Sequence, residues 1–210
     1  MEIIQNEELY HICIAPDWKV EDTFFFGNDY NNFFSYFNRN AEGFRSKNQK
    51  FYHVRIFIQH IINVLKGSEE KDIEIAKTFN YDPLNTLEFL QDAFKDYFML
   101  VRELIYEEVR LKHFPNCPSR MRCIWVIPKD KKALVYWNNI KKGRIFILRL
   151  TGKILRTNEK FLIKDTYNLK EYRERAFMYW AGIKGESEKD EILFEGHVTV
   201  IKEISLDDIE

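Results

Sequence analysis

Glu191 is the last charge before the apolar run of "EILFEGHVTVIKEI" (191–204) and follows the polar loop "KGESEKD" (184–190). A carboxylate at the mouth of a strand can simply keep the strand end in water. Facing a cleft, it can act as a base, or hold a sugar hydroxyl and stabilise an oxocarbenium-like centre. His11 lies in the apolar stretch "LYHICIA" (9–15), where an imidazole must find partners. A lone histidine in a core strand serves structure more often than catalysis. Ser119 and Arg120 stand in "FPNCPSRMRCIWV" (114–126). Pro118 restricts the residue before it, and the turn presents a hydroxyl and a guanidinium suited to bidentate phosphate contacts. A plain helix-to-strand connection with a surface arginine accounts for the same residues. Trp125 and Tyr136 are interleaved with Lys129, Lys131 and Lys132 in "WVIPKDKKALVYW" (125–137). Aromatic and basic residues together can sandwich a flat ring and meet phosphates, and a solvated helix face behind a core strand has the same composition.

Other chemistries lack their signatures. The five histidines are scattered, with no HExxH pattern and no Ser-His-Asp arrangement, so no metal site is expected. Cys13, Cys117 and Cys123 are odd in number and lack metal-ligand spacing, which fits reduced thiols in a cytosolic protein. The start, "MEIIQNEELYH", is acidic and does not read as a secretory signal, and no apolar run is long enough to span a membrane. The formal net charge of −1 argues against duplex DNA as the main partner. With 45% hydrophobic and 16% aromatic residues in 210, the chain can bury one sizeable core.

The elements that must position these residues have clear punctuation. "LYHICIA" reads as a strand buried on both faces, ended by Pro16, and "TFFFG" (23–27) as a second short strand or turn. "NDYNNFFSYFNRN" (28–40) reads as a loop or short helix. Val54, Phe57, Ile58, Ile61, Ile62 and Leu65 recur at helical spacing before Gly67, and a short helix is expected over 69–79. A long helix is expected over 82–115, with Asp82 as cap, Pro83 in the first turn and Pro115 as stop. Its apolar stripe is Leu87, Leu90, Phe94, Tyr97, Phe98, Val101, Leu104 and Ile105. At ~1.5 Å per residue it spans about 45 Å. Further strands are expected at 122–128, 144–150, 160–164 and 191–204, with a turn at "GK" (152–153) and a bulge or turn at Gly196. Helices are expected at 130–140, starting at Asp130, and at 168–183, capped by Asn168. This order points to one α+β domain with a mostly antiparallel sheet and a helical elaboration over about 50–113.

The order of these pieces resembles the ADP-ribosyltransferase fold. The resemblance is carried by "YH" on the first strand, "R…FP..PSR..C.W" ahead of the central strand, "A..YW" on the helix that follows that strand, within "CIWVIPKDKKALVYW", and "EIL..G...V" on the last strand. It covers roughly residues 9–26 and 110–204 and is nearest to small bacterial and phage members of that fold of the His-Tyr-Glu type. The resemblance implies NAD as substrate. It implies His11 at the ribose and nicotinamide end, Trp125 at the stacking position, Tyr136 on the following helix and Glu191 as the catalytic glutamate. It places 184–190 as the acceptor-recognition loop. Lys189 stands where arginine-specific transferases carry Glu or Gln, so arginine is disfavoured as acceptor.

The expected function is an NAD-dependent ADP-ribosyltransferase or NAD glycohydrolase acting on a protein or nucleic-acid acceptor. The alternatives are a non-catalytic binding module on the same fold, or a nucleic-acid-binding protein using Lys129–Lys132, Lys141 and Lys142. The transferase expectation carries a geometric condition. His11, Trp125 and Glu191 must converge on one cleft, lined also by Ser119 and Arg120, and Glu191→Gln must abolish turnover with little effect on stability.

Overall fold

The structure is a computed structural model that describes residues 1–15, 17–42, 44–45, 51–66, 83–163 and 168–209. The expectations at Pro16, Gly67, 69–79 and Asp82 lie outside the described residues. β1 (Glu2–Cys13) and β2 (Thr23–Phe26) open the chain. They are followed by α1 (Asn32–Glu42), β3 (Phe44–Arg45), β4 (Phe51–Tyr52), α2 (Val54–Leu65) and α3 (Pro83–His113). The remainder holds β5 (Ile124–Val126), α4 (Lys131–Lys141), β6 (Arg144–Asn158), α5 (Leu169–Trp180) and β7 (Asp190–Ile204). The chain divides into two compact units, Met1–Asn31 with Arg102–Glu210, and Asn32–Val101. In that second unit the rings of Phe33, Tyr36 and Phe37 pack on one another along α1, and β3 pairs with β4.

The first unit is built on a five-stranded antiparallel sheet. β6 pairs with β1 on one side and β7 on the other. The far edge of β7 is shared, with β5 along Ile192–Phe194 and β2 along Gly196–Thr199. Tyr10 and Ile127 exchange backbone hydrogen bonds of 3.0 and 2.8 Å, so the sheet curls until β1 meets the end of β5. Its inner face is apolar, with Leu9, Cys13, Phe146, Leu148, Ile154, Ile192, Phe194 and Val198 in one cluster. On the outer face Ile12, Ile127 and Ile145 pack against Ala133, Leu134 and Trp137 of α4. Alternation with period two puts Leu9, His11 and Cys13 inside and Ile12 outside, so both faces of this strand are buried as expected.

Two features of β6 and β7 differ from the sequence reading. "GK" at 152–153 is not a turn, because β6 runs unbroken to Asn158. Gly152 pairs with Gly196, whose φ is +142°, and the register stays in step there. A Cβ on Gly152 would stand 2.2 Å from the Glu195 carbonyl oxygen, and one on Gly196 2.5 Å from the Thr151 carbonyl oxygen. The glycines mark a close approach of two strands, a signal that looks the same as a turn in sequence. The extra residue in β7 lies near Ile201, where the register against Ile147 and Leu148 shifts. The described part of "KFLIK", 160–163, is also not a strand, and Lys164 lies outside the described residues: Asn158 caps a one-turn helix at Glu159–Phe161, its side chain accepting from Lys160 N–H at 3.1 Å.

Local caps behave as the sequence indicates. Asp130 accepts from Ala133 N–H at 2.8 Å to start α4, and Asn168 accepts from Glu171 N–H at 3.0 Å to start α5. No helix among the described residues is long and apolar enough to cross a membrane.

Candidate functional site

The loop between α3 and β5 is pinned at several points. Arg110 Nη1 donates to the carbonyls of Pro115 and Cys117, each at 3.0 Å, and its other nitrogens grip Glu107. Glu107 Oε2 accepts the Ser119 hydroxyl at 3.0 Å. Glu195 Oε1 accepts Ser119 N–H at 2.7 Å while its other oxygen pairs with Lys153 at 2.8 Å. Asn31 Nδ2 donates to the carbonyls of Arg120 and Cys123 at 2.7 and 3.0 Å. The Ser119 hydroxyl is therefore an internal strut: it is buried and its proton is committed to a carboxylate.

Held this way, Arg120 projects inward and not to the surface. Its Nε donates to Glu103 Oε2 at 2.9 Å and its Nη1 to Glu191 Oε1 at 2.8 Å. Its guanidinium carbon lies 5.5 Å from the Trp125 ring centre and 5.0 Å from that of Tyr179. The Tyr179 hydroxyl donates to the same Glu191 oxygen and accepts from Arg120. Arg102 closes the chain, donating to Glu103 Oε1 at 3.0 and 2.7 Å and to the Ile163 carbonyl at 3.1 Å. Arg102, Glu103, Arg120 and Glu191 are 3%, 1%, 3% and 6% exposed, so two cations and two anions neutralise each other out of water.

The electrostatics follow from this pairing. Burial works to raise the pKa of Glu103, but Arg120 and Arg102 outweigh it and hold the carboxyl below its ordinary value. Burial opposes the charge of Arg120, and Glu103, Tyr179 and Glu191 more than offset it, so the guanidinium stays charged. Burial pushes the Tyr179 phenol well above its ordinary value, so it serves as a proton donor to Glu191.

Trp125 pairs with Leu193, and Glu191 lies two residues before Leu193, so Trp125 and Glu191 share the outer face with Arg120. His11 does not join them. It pairs with Phe146, and the even-numbered residues of β6 from Phe146 share the inner face with Phe194 and Ile192, whereas Glu191 pairs with Thr157. His11 and Glu191 thus project from opposite faces of the sheet. His11 Nδ1 lies 2.8 Å from the Trp125 carbonyl oxygen, which can only accept, so the proton sits on Nδ1 and Nε2 carries the lone pair. The ring stacks on Trp18 at 5.0 Å and 29°. Burial, with the nearby Lys141 charge, pushes its pKa down to about 3, so the imidazole is neutral.

The remaining candidates are dispersed. Tyr136 donates its hydroxyl to Glu159 at 2.5 Å; burial and that carboxylate push its pKa up to about 12. Lys129 pairs with Glu8 at 3.2 Å, and Lys131 donates to the Ile209 carbonyl, so neither is an open phosphate contact. In the loop at 184–190, Lys189 pairs with Glu186, and Asn158 Nδ2 donates to the Glu186 carbonyl and to Asp190 at 2.8 and 2.7 Å. The three cysteines are free and buried, and no group among the described residues could hold a metal ion.

Sequence reasoning missed Glu103, Glu107, Glu195 and Tyr179. The apolar stripe of α3 assigns Leu104 to the core, yet Leu104 is 50% exposed and Arg102 and Glu103 beside it are buried. Glu103 meets Arg120 of the loop before β5, which in turn meets Glu191 of β7, so the buried side of this helix carries charge to match. The adjacent Arg102–Glu103 pair within an apolar stripe was the available signal.

The profile of a family described as "Protein of unknown function (DUF2441)" matches residues 9–206, and the chain belongs to that family. No curated protein matches it.

Proposed function

For this DUF2441 chain we propose a non-catalytic binding role, on a scaffold resembling that of the ADP-ribosyltransferases. One observation carries the reading. Glu191 is 6% exposed, its Oε1 accepts from both Arg120 and Tyr179, and it projects from the sheet face opposite His11. A glutamate that stabilises charge on a sugar must reach the same substrate as the histidine that holds the ribose. Here the two are separated by the sheet, and the carboxylate is already neutralised by a buried guanidinium.

A second reading is NAD-dependent transfer or NAD hydrolysis. It is favoured by the gathering of Arg120, Trp125 and Glu191 on one face, where Arg120 stacks against Trp125. That reading requires Arg120 to leave Glu191 when substrate binds and requires no contribution from His11 at Glu191. Purified protein incubated with NAD separates the two. No nicotinamide release, and no label transferred to lysate protein or nucleic acid, is the outcome expected of the binding module. Release that is lost in Glu191→Gln, in a variant shown to be folded, would establish the transferase reading instead.

A further inference from the structure

The apolar stripe that the sequence assigns to the core along α3 faces outward. α3 is one continuous helix, Pro83–His113. It buries Arg102, Tyr106, Val109 and Arg110 and presents its other side. On that side Phe94, Tyr97, Leu104 and Leu111 are 51%, 53%, 50% and 60% exposed, and Val101 is half-buried. With Glu108 they recur at alternate steps of three and four: positions 94, 97, 101, 104, 108 and 111. That is a period of 3.5 residues, the spacing of a seam between two supercoiled helices. The row extends for ~25 Å along the helix axis. A monomer rarely leaves so long an apolar row in water. Its polar member is anchored from one side, because Arg173 Nη2 of α5 donates to both oxygens of Glu108, at 3.0 and 3.2 Å.

We propose that this row is the interface between two copies of the chain, whose α3 helices pair antiparallel. The spacing asks for a helix as the partner, and the order of residues in the row selects the direction. Antiparallel pairing about a point between Val101 and Leu104 sets Val101 against Leu104 of the second copy, and Phe94 against its Leu111. It sets Tyr97 against Glu108 of the second copy, so the one phenol in the row meets the one carboxylate, a donor against an acceptor. Parallel pairing would set Glu108 against Glu108 in an apolar seam, where like charges repel. The flanking charges agree with the antiparallel choice. Lys112 of each copy comes level with Asp92 of the other, and the opposed helix dipoles attract. The row lies on the side of α3 away from Tyr106 and Arg110, so the interface stands whether or not the Arg120–Glu191 cluster binds NAD.

Sedimentation of the full chain over a range of concentrations tests the association, and a dimer in equilibrium with monomer is expected. Leu104→Lys puts two ammonium groups into the central layer of the pair. It is expected to raise the dimer dissociation constant by about 100-fold or more, as an unpaired charge withdrawn from water must. Leu104 is half-exposed, so the fold should tolerate the change, and an unaltered circular-dichroism spectrum checks it. Direction is read by mixing Phe94→Cys protein with Leu111→Cys protein under oxidation. A disulfide-linked dimer is expected in the mixture and in neither variant alone. The three native cysteines are buried, and wild type treated alike supplies the background. Wild type that stays monomeric at about 0.1 mM would overturn the proposal and leave the row to a helix of another protein. A dimer indifferent to Leu104→Lys would place the interface elsewhere, and disulfides within either variant alone would overturn the antiparallel pairing.

Discussion

Arg120 and Glu191 stand 71 positions apart in the chain, yet their side chains meet at 2.8 Å in a space closed to water. The contact ties the loop before β5 to the start of β7, and through Glu103 it ties both to α3. Each member compensates a neighbour of opposite sign. Removing one leaves a buried charge with too little partner, which is why the consequences fall on stability.

Glu191→Gln is therefore expected to lower the stability of the protein, by about 3 kcal/mol, the scale for breaking a buried ion pair. This reverses the expectation from sequence, which took Glu191 for a poorly packed carboxylate at a strand end. Denaturant unfolding of the variant and wild type measures it. A midpoint unchanged within error would return Glu191 to a cleft.

Among the described residues, Arg120→Met leaves Glu103 hydrogen-bonded to Arg102 and Glu191 to the Tyr179 hydroxyl. A loss of about 4 kcal/mol is expected. Pairing it with Glu191→Gln in a double-mutant cycle should recover part of that loss, because the second change removes the charge the first one strands. Strict additivity of the two would mean that the side chains do not interact.

His11 has a folded pKa of about 3 against an ordinary value of 6.5, so between those values the unfolded chain binds a proton that the folded one does not. Stability from this group is complete above pH 6.5 and falls as pH drops toward 3, by on the order of 4 kcal/mol across the window. Unfolding free energy measured from pH 7 to 5, above the range of ordinary carboxylates, should fall with acidity. His11→Gln should flatten that slope. If the imidazole titrates near 6.5 in the folded protein by NMR, the prediction is wrong.

Gly152→Ala places a methyl where 2.2 Å separates it from the Glu195 carbonyl oxygen, an atom of backbone that cannot swing aside. A cost of about 3 kcal/mol is expected, at the upper end for overpacking. Gly152 sits mid-strand, so a neutral thermal midpoint would show that β6 and β7 part there more easily than their register implies.

Much of the scaffold is legible in the sequence. Asp130, Asn168 and Pro83 mark helix starts through local backbone chemistry that needs no tertiary partner. The run of strand-forming residues in "LYHICIA" marks β1 as a strand buried on both faces, and strand geometry then sends neighbours to opposite sides. The three reduced cysteines and the mixed α+β order follow from composition and spacing in the same way. Long-range pairing is what decides the rest. Whether "GK" is a turn depends on Gly196 lying opposite it, which no local pattern records. Whether Arg120 faces solvent or the interior depends on Glu103 and Glu191 arriving from α3 and β7. The relation of His11 to Glu191 depends on register through two intervening strand pairs, β1 with β6 and β6 with β7, and a shift of one residue would exchange the faces. Residue types set what chemistry each side chain can do; only the closed sheet determines which of them can reach the same molecule.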